Sequence, residues 1–241
     1  MPDLQATVPP PPRWRRRLGT ARRLRRTARA RGVAFLVLRR AAPSPWIHPE
    51  WFTVLEHQTR APAGADEGGR VRWGAPADLP VLLAGERDEP TLRARFARGD
   101  RVAFLDDGEA TGYAWYRAGE YDEQGIIFRL GPREAWGYDA WIAEGARGRG
   151  NASRLLRGAS RALAAEGVTR VLLGVDNVNE PSLRAACASG RVPIGSFWML
   201  RLFGLSIRRE AWEGARPRWS VYRGTREASP PTLRTGGSPL I

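Results

Sequence analysis

The sequence predicts an α/β protein built on a mixed β-sheet with helices on both faces. Three observations carry this. Residues 135–175 read as strand, glycine-rich turn, helix and strand, the order that joins two parallel strands across a sheet face. Residues 101–106 and 110–117 are strand-like runs joined through Asp107-Gly108, a hairpin signal that adds antiparallel strands. Ala152, Leu155, Leu156, Ala159, Ala162 and Leu163 recur at helical spacing, and Gly167 stands where a helix C-cap belongs.

Taken from the N-terminus, residues 1–12 end in four prolines and read as a disordered tail. Residues 13–32 place Trp14, Leu18, Ala21, Leu24 and Ala28 at a three-to-four spacing among arginines, a thin apolar stripe on a basic helix. Strand candidates at 33–39 and 51–59 flank an irregular, proline-rich connection at 43–49, and 61–69 is a linker of small and acidic residues. Residues 13–69 are therefore set apart from a domain spanning 70–225. Within it the reading is strand 70–73, helices near 77–84 and 90–98, and strands 101–106, 110–117 and 135–143. A loop at 144–150 leads to helix 151–166, strand 168–175, helix 181–189, strand 194–202 and a last strand near 218–223. The strand Val-Thr-Arg-Val-Leu-Leu-Gly-Val-Asp is apolar enough to be buried on both faces. Residues 226–241, rich in Ser, Pro, Thr and Gly, read as a second disordered tail.

Composition narrows the class. The 241 residues are 42% hydrophobic and 27% charged, an ordinary globular balance with material for one sizeable core. No apolar run reaches the length of a membrane span, and the N-terminal arginines precede no adequate apolar stretch for a secretory signal. The one cysteine, Cys187, excludes an internal disulfide and suits a reducing cytoplasm. His48 and His57 are the only histidines, too sparse for a metal site or a nucleophile triad.

Charge is concentrated at one end. The first 40 residues hold 12 arginines and one acid, while the other 201 hold 27 arginines against 24 acids. Residues 13–31 could lie on an anionic membrane surface, or pack their stripe on the domain and leave the arginines in water. Nucleic acid fits less well, because no aromatic residues interleave with the basic run.

Arg147-Gly148-Arg149-Gly150-Asn151-Ala152 opens the helix. Glycines let the backbone approach a ligand, and the helix N-terminus favours an anion, so the segment reads as a pyrophosphate cradle. A Walker loop is excluded, since the chain has no lysine, and a dinucleotide fingerprint is met only loosely at its third small position. Arg147, Gly150 and Ala152 fit the pattern R/Q-x-x-G-x-G/A. With Tyr138-Asp139-Ala140-Trp141-Ile142 before it and Val175-Asp176-Asn177-Val178-Asn179-Glu180-Pro181-Ser182-Leu183-Arg184 after it, the chain resembles the GNAT superfamily of acetyltransferases. Val71–Pro80 looks like that family's first strand and entry to its first helix, and the resemblance covers roughly residues 70–225.

The resemblance implies a GNAT fold with two splayed parallel strands, acetyl-CoA as co-substrate and transfer of an acetyl group to a primary amine of a small molecule or protein. It places the backbone of Trp141 and Ile142 alongside the pantetheine arm, Arg147, Gly148, Arg149, Gly150, Asn151 and Ala152 at the pyrophosphate, and Asn179 and Arg184 near the cofactor. Ile142 then stands as oxyanion donor, and Asp139 and Glu134 as candidate bases, each alternatively a carboxylate paired with arginine. Glu120, Asp122 and Glu123 form an acidic cluster that either attracts a cationic acceptor or is simply solvated. Trp115, Trp136, Trp141 and Trp198 could line an apolar acceptor pocket or serve as core. The family's tyrosine seven residues after the asparagine is Ala186 here, with Cys187 beside it. A protein that binds acetyl-CoA without turning it over, recruited to a membrane by its basic helix, is the alternative reading.

Overall fold

A computed structural model describes residues 47–59, 70–85, 88–106, 110–123, 125–223 and 226–228. The basic helix at 13–31, the strand at 33–39, the linker at 61–69, the Asp107-Gly108 turn and the tail from 229 onward lie outside the described residues. Twelve strands and four α-helices are formed among those described. In chain order they begin β1 (Ile47–Gln58), β2 (Val71–Trp73), α1 (Leu79–Leu83), α2 (Glu89–Ala97), β3 (Arg101–Asp106) and β4 (Ala110–Arg117). The middle holds β5 (Glu120–Glu123), β6 (Ile126–Arg129), β7 (Glu134–Ile142), α3 (Asn151–Ala165), β8 (Arg170–Asp176) and α4 (Glu180–Ala188). Last come β9 (Val192–Leu202), β10 (Leu205–Trp212), β11 (Arg218–Arg223) and β12 (Arg226–Ala228).

Nine strands form one sheet in the order β11-β10-β9-β1-β8-β7-β4-β3-β2. The β7–β8 pair is parallel and its other described neighbours are antiparallel, the mixed sheet expected from strand, helix and strand in succession. A second sheet, β12-β6-β5, lies apart from it. Residues 226–228 thus form a strand against β6, where the sequence reading put the start of a disordered tail.

β1 is the main departure from the 70–225 domain boundary. It lies inside the large sheet, hydrogen-bonded to β8 on one side and β9 on the other, with Phe52 opposite both Asp176 and Phe197. Phe52, Val54 and Leu55 are buried, because a strand with neighbours on both sides and layers on both faces has no route to water.

Helices cover one face. Leu155, Ala159 and Leu163 of α3 pack on Ala103, Leu105, Ala114, Tyr116 and Val171, while Ala186 of α4 meets Leu55, Leu156, Leu173 and Val175. The opposite face has two covers. Leu79, Leu82 and Leu92 of α1 and α2 lie over Val102, Phe104, Tyr113 and Trp115. Ile126 and Phe128 of β6 lie over Phe52, Trp136, Leu172 and Phe197. Each fully buried Leu or Phe contributes about 1.5–3 kcal/mol of transfer free energy, which fixes α1, α2 and the β5–β6 pair to the sheet.

Candidate active site

The parallel pairing of β7 and β8 runs from Glu134↔Arg170 to Gly137↔Leu173 and then stops, although both strands continue. Tyr138–Ile142 and Gly174–Asp176 therefore diverge and leave a wedge between them. On its other side β7 remains paired to β4, with a register shift between Tyr113 and Trp115. Asp139 lies at that shift with φ 47, an uncommon conformation for a residue with a side chain. Such a bulge bends the strand and re-aims its peptide groups, which is how one strand can leave its parallel neighbour and keep the antiparallel one.

The loop at the open end is built for a helix start. Gly150 is the N-cap of α3 in a left-handed conformation, φ 77, and Gly148 adopts φ 78. A side chain at either would be strained, and the space beyond each is open. The first N–H groups of α3 have no acceptor within the helix and project from its N-terminus. Arg147 anchors the loop by donating from Nε to the Ile142 carbonyl at 2.9 Å. Asn151 is 9% exposed and braces the turn, donating to Ala146 O at 3.1 Å and accepting from Arg154 at 3.1 Å. Its side chain is thus a support for the loop, while Gly148, Arg149 and Gly150 are exposed and Ala152 half-buried.

Asp139 and Glu134 are both engaged with arginines. Asp139 forms an ion pair at 2.5 Å with Arg95, whose side chain is 9% exposed and stacks over Trp115 and Tyr138. Glu134 sits at the closed end of the wedge, accepting from Arg170 at 2.9 Å and from the Gly131 amide at 2.8 Å. At roughly 3.3 Å per residue the eight positions to Ile142 put it more than 20 Å from the loop. Ile142 itself stands at the wide end, beside the loop, and its carbonyl is taken by Arg147. The peptide groups nearest the vertex belong to Tyr138, Asp139 and Ala140 instead.

Trp141 turns its ring into the core, stacked on Tyr113 at 5.5 Å, leaving its backbone toward the wedge. Asn179 caps α4 by accepting from the Ser182 amide at 3.3 Å, and Arg184 is an exposed partner of Glu180 at 2.6 Å. Neither is directed at the vertex by a contact that the structure shows. Ala186 is 1% exposed within the α4 core, and Cys187 next to it is exposed. Of the four tryptophans, Trp136 alone reaches the vertex. Trp115 packs on Phe96 of α2, and Trp198 of β9 lies against Trp219 of β11, across β10. His57 rests its ring against the Gly190 carbonyl at 3.4 Å, its pKa lowered by burial and by nearby Arg191. Among the described residues no cluster of His, Cys, Asp or Glu could hold a metal. No helix among them is long and apolar enough to cross a membrane.

The structure divides the acidic cluster that the sequence shows and adds Tyr121 and Asp100 to it. The acidic segment after β4 is a strand, β5, whose alternation leaves Glu120 and Asp122 exposed and turns Tyr121 and Glu123 inward. Glu123 reaches the vertex: a Cβ on Gly174 would lie 3.1 Å from its Oε2 and 3.2 Å from the Trp136 ring. Burial, and then the charge of Glu50, pushes its pKa up to about 7. Tyr121 stacks between Trp136 and Tyr138 at 5.4 and 4.9 Å. Tyr138 donates its hydroxyl to Asp100 at 2.8 Å, and burial together with that bond pushes its phenol well above the usual range. Burial alone would raise Asp100, but hydrogen bonds from Arg117 and Tyr138 bring it below the usual carboxylate range. The period-two alternation of Tyr121 and Glu123 was the available sequence signal, too short at four residues to separate from a loop.

The wedge, the cradle and the fold are accompanied by a family match. Residues 76–187 match the model of the acetyltransferase (GNAT) family. Solved structures similar to it include a GNAT acetyltransferase from Colwellia psychrerythraea, with 15% identity over 64% of this chain and TM-score 0.49. A GNAT-family protein from Novosphingobium aromaticivorans shares 20% identity over 67% of this chain and 70% of its own, with TM-score 0.47. A GCN5-related N-acetyltransferase from Sphaerobacter thermophilus shares 17% identity over 76%, with TM-score 0.45. The chain spans little more than half the length of the Colwellia and Sphaerobacter proteins, 56% and 57%. No curated protein matches it.

Proposed function

We propose that the chain is an acetyl-CoA-dependent N-acetyltransferase acting on a primary amine of a small molecule or protein. The observation that carries this is the wedge between β7 and β8 opening onto a helix N-terminus whose two glycines hold left-handed turns. The amides at the start of α3 receive the pyrophosphate, with Arg147 and Arg149 adding positive charge at its rim. The β7 backbone from Trp141 to Ile142 runs beside the pantetheine arm as a neighbouring strand would. This brings the thioester to the vertex, where the bulge at Asp139 and Ala140 aims a peptide N–H at the developing oxyanion.

Binding without turnover is the second reading, favoured by Ala186 standing where the family's phenol would protonate the departing thiolate. Isothermal titration with acetyl-CoA, on the parent and on Gly150→Glu, tests the cradle. Saturable binding weakened by at least about tenfold in the variant is expected, because a carboxylate at a helix N-terminus repels the pyrophosphate that the site receives. No binding by the parent sinks the proposal. Release of free thiol on adding amine then separates transfer from binding alone.

A further inference from the structure

We propose that Glu123, at the vertex of the wedge, is the general base of the transfer and then the acid that protonates the departing thiolate. The inference rests on the acetyl-transfer reading above. Its geometry is independent of the cradle: Glu123 belongs to β5, in the small sheet that lies outside the large one. Its carboxylate lies against Gly174, the first β8 residue past the last parallel pair, and against Trp136 of β7. Any side chain at 174 would press on that carboxylate, so glycine there keeps the vertex open to it.

Asp139 and Glu134, the carboxylates on β7, are held by Arg95 and Arg170. The groups that face Glu123 are Glu50 from β1, Asp176 from β8, Asp122 on its own strand and the Trp136 indole. Tyr121 lies beside it, Arg95 and Arg117 act on that ring from its far side, and the Arg201 guanidinium of β9 lies against Gly125. Burial first, and then the neighbouring carboxylates, raise the proton affinity of Glu123 into the range a base needs near neutral pH.

The step balances within the substrates. The amine nitrogen forms a bond to the acetyl carbon, and its proton passes to the Glu123 carboxylate. The carbon–sulfur bond breaks, and the same proton passes from the Glu123 carboxyl to sulfur, leaving an amide, a thiol and an ionised carboxylate. One group thus performs both transfers, which accounts for a fold with alanine at 186 and with the Tyr138 phenol committed to Asp100.

The test is Glu123→Gln in the full chain, with free thiol followed at saturating acetyl-CoA and simple primary amines in excess across pH 5.5–9. The expected result is a wild-type rate that rises through about pH 7. In the variant kcat should fall about a hundredfold or more, with the acidic limb gone and the acetyl-CoA Kd within about twofold. An infrared pH titration should show a protonated carboxyl band in the wild type that disappears near pH 7 and is missing from the variant. A variant that keeps kcat within about threefold, or an unchanged acidic limb, overturns the assignment. Wild type that binds acetyl-CoA and releases no thiol overturns the transfer reading and the base with it.

Discussion

Replacing Arg170 by methionine isolates what holds the closed end of the wedge together. The guanidinium is 2% exposed and joins three adjacent strands: Glu56 of β1 at 2.8 and 2.5 Å, and Glu134 of β7 at 2.9 Å. Methionine fills much of the volume, so the loss is electrostatic. Glu134 keeps 20% side-chain exposure and can take up water, but Glu56 keeps 7% and is left as a buried charge. Removing one partner of such a pair costs about 3–5 kcal/mol. At 2–4 °C per kcal/mol for a domain of this size, thermal unfolding should come roughly 6–20 °C lower. Adding Glu56→Gln should recover a large part of it, since the orphan charge is gone. Calorimetry on the two variants reads all of this. A melting point within about 2 °C of the parent would refute the reasoning. Glu134→Gln serves as the companion, because it should lower stability and leave kcat unchanged if its role is confined to Arg170.

Ala186→Tyr should not restore a thiolate acid. Ala186 is 1% exposed among Leu55, Leu156, Leu173 and Val175, so the ring overpacks the core by about 1–3 kcal/mol, read by chemical denaturation with thiol release unimproved. A chain starting at residue 47 retains every described strand and should stay soluble and unfold cooperatively. One starting at residue 70 lacks β1, exposes the facing edges of β8 and β9, and should be recovered as aggregate; soluble, cooperative unfolding of that shorter chain would contradict the placement of β1.

Local patterns made much of this fold legible. Strands 101–106, 110–117 and 218–223 coincide with β3, β4 and β11, and the helix read at 151–166 is α3 to within one residue. The glycine turn at 148–150 was legible for the same reason, since glycine in a left-handed turn before an amphipathic helix is written in consecutive residues. Partnership across the sheet was not. Nothing in Trp51–Thr59 says that it pairs with β8 and β9, a choice made by burial of both its faces. β10 carries Arg208 and Glu210, which meet each other in a nearly buried ion pair and so disguise a strand as a polar loop. Glu123 was hidden in the same way, as one inward position in an otherwise exposed acidic run.

The place of β1 also has a consequence for how the molecule is made. Glu56 finds its partner 114 residues further along, and Thr53 hydrogen-bonds Asn177 across 124. At about 5–20 residues per second on the ribosome, Phe52, Val54 and Leu55 emerge and then wait on the order of ten seconds or more for the strands that cover them. During that interval the strand has two free edges and no apolar cover, and the contacts that end the wait are long-range and slow to form. The newborn chain is therefore a natural client for a holdase, and slowing synthesis between residues 60 and 170 would lengthen its exposure to other nascent chains.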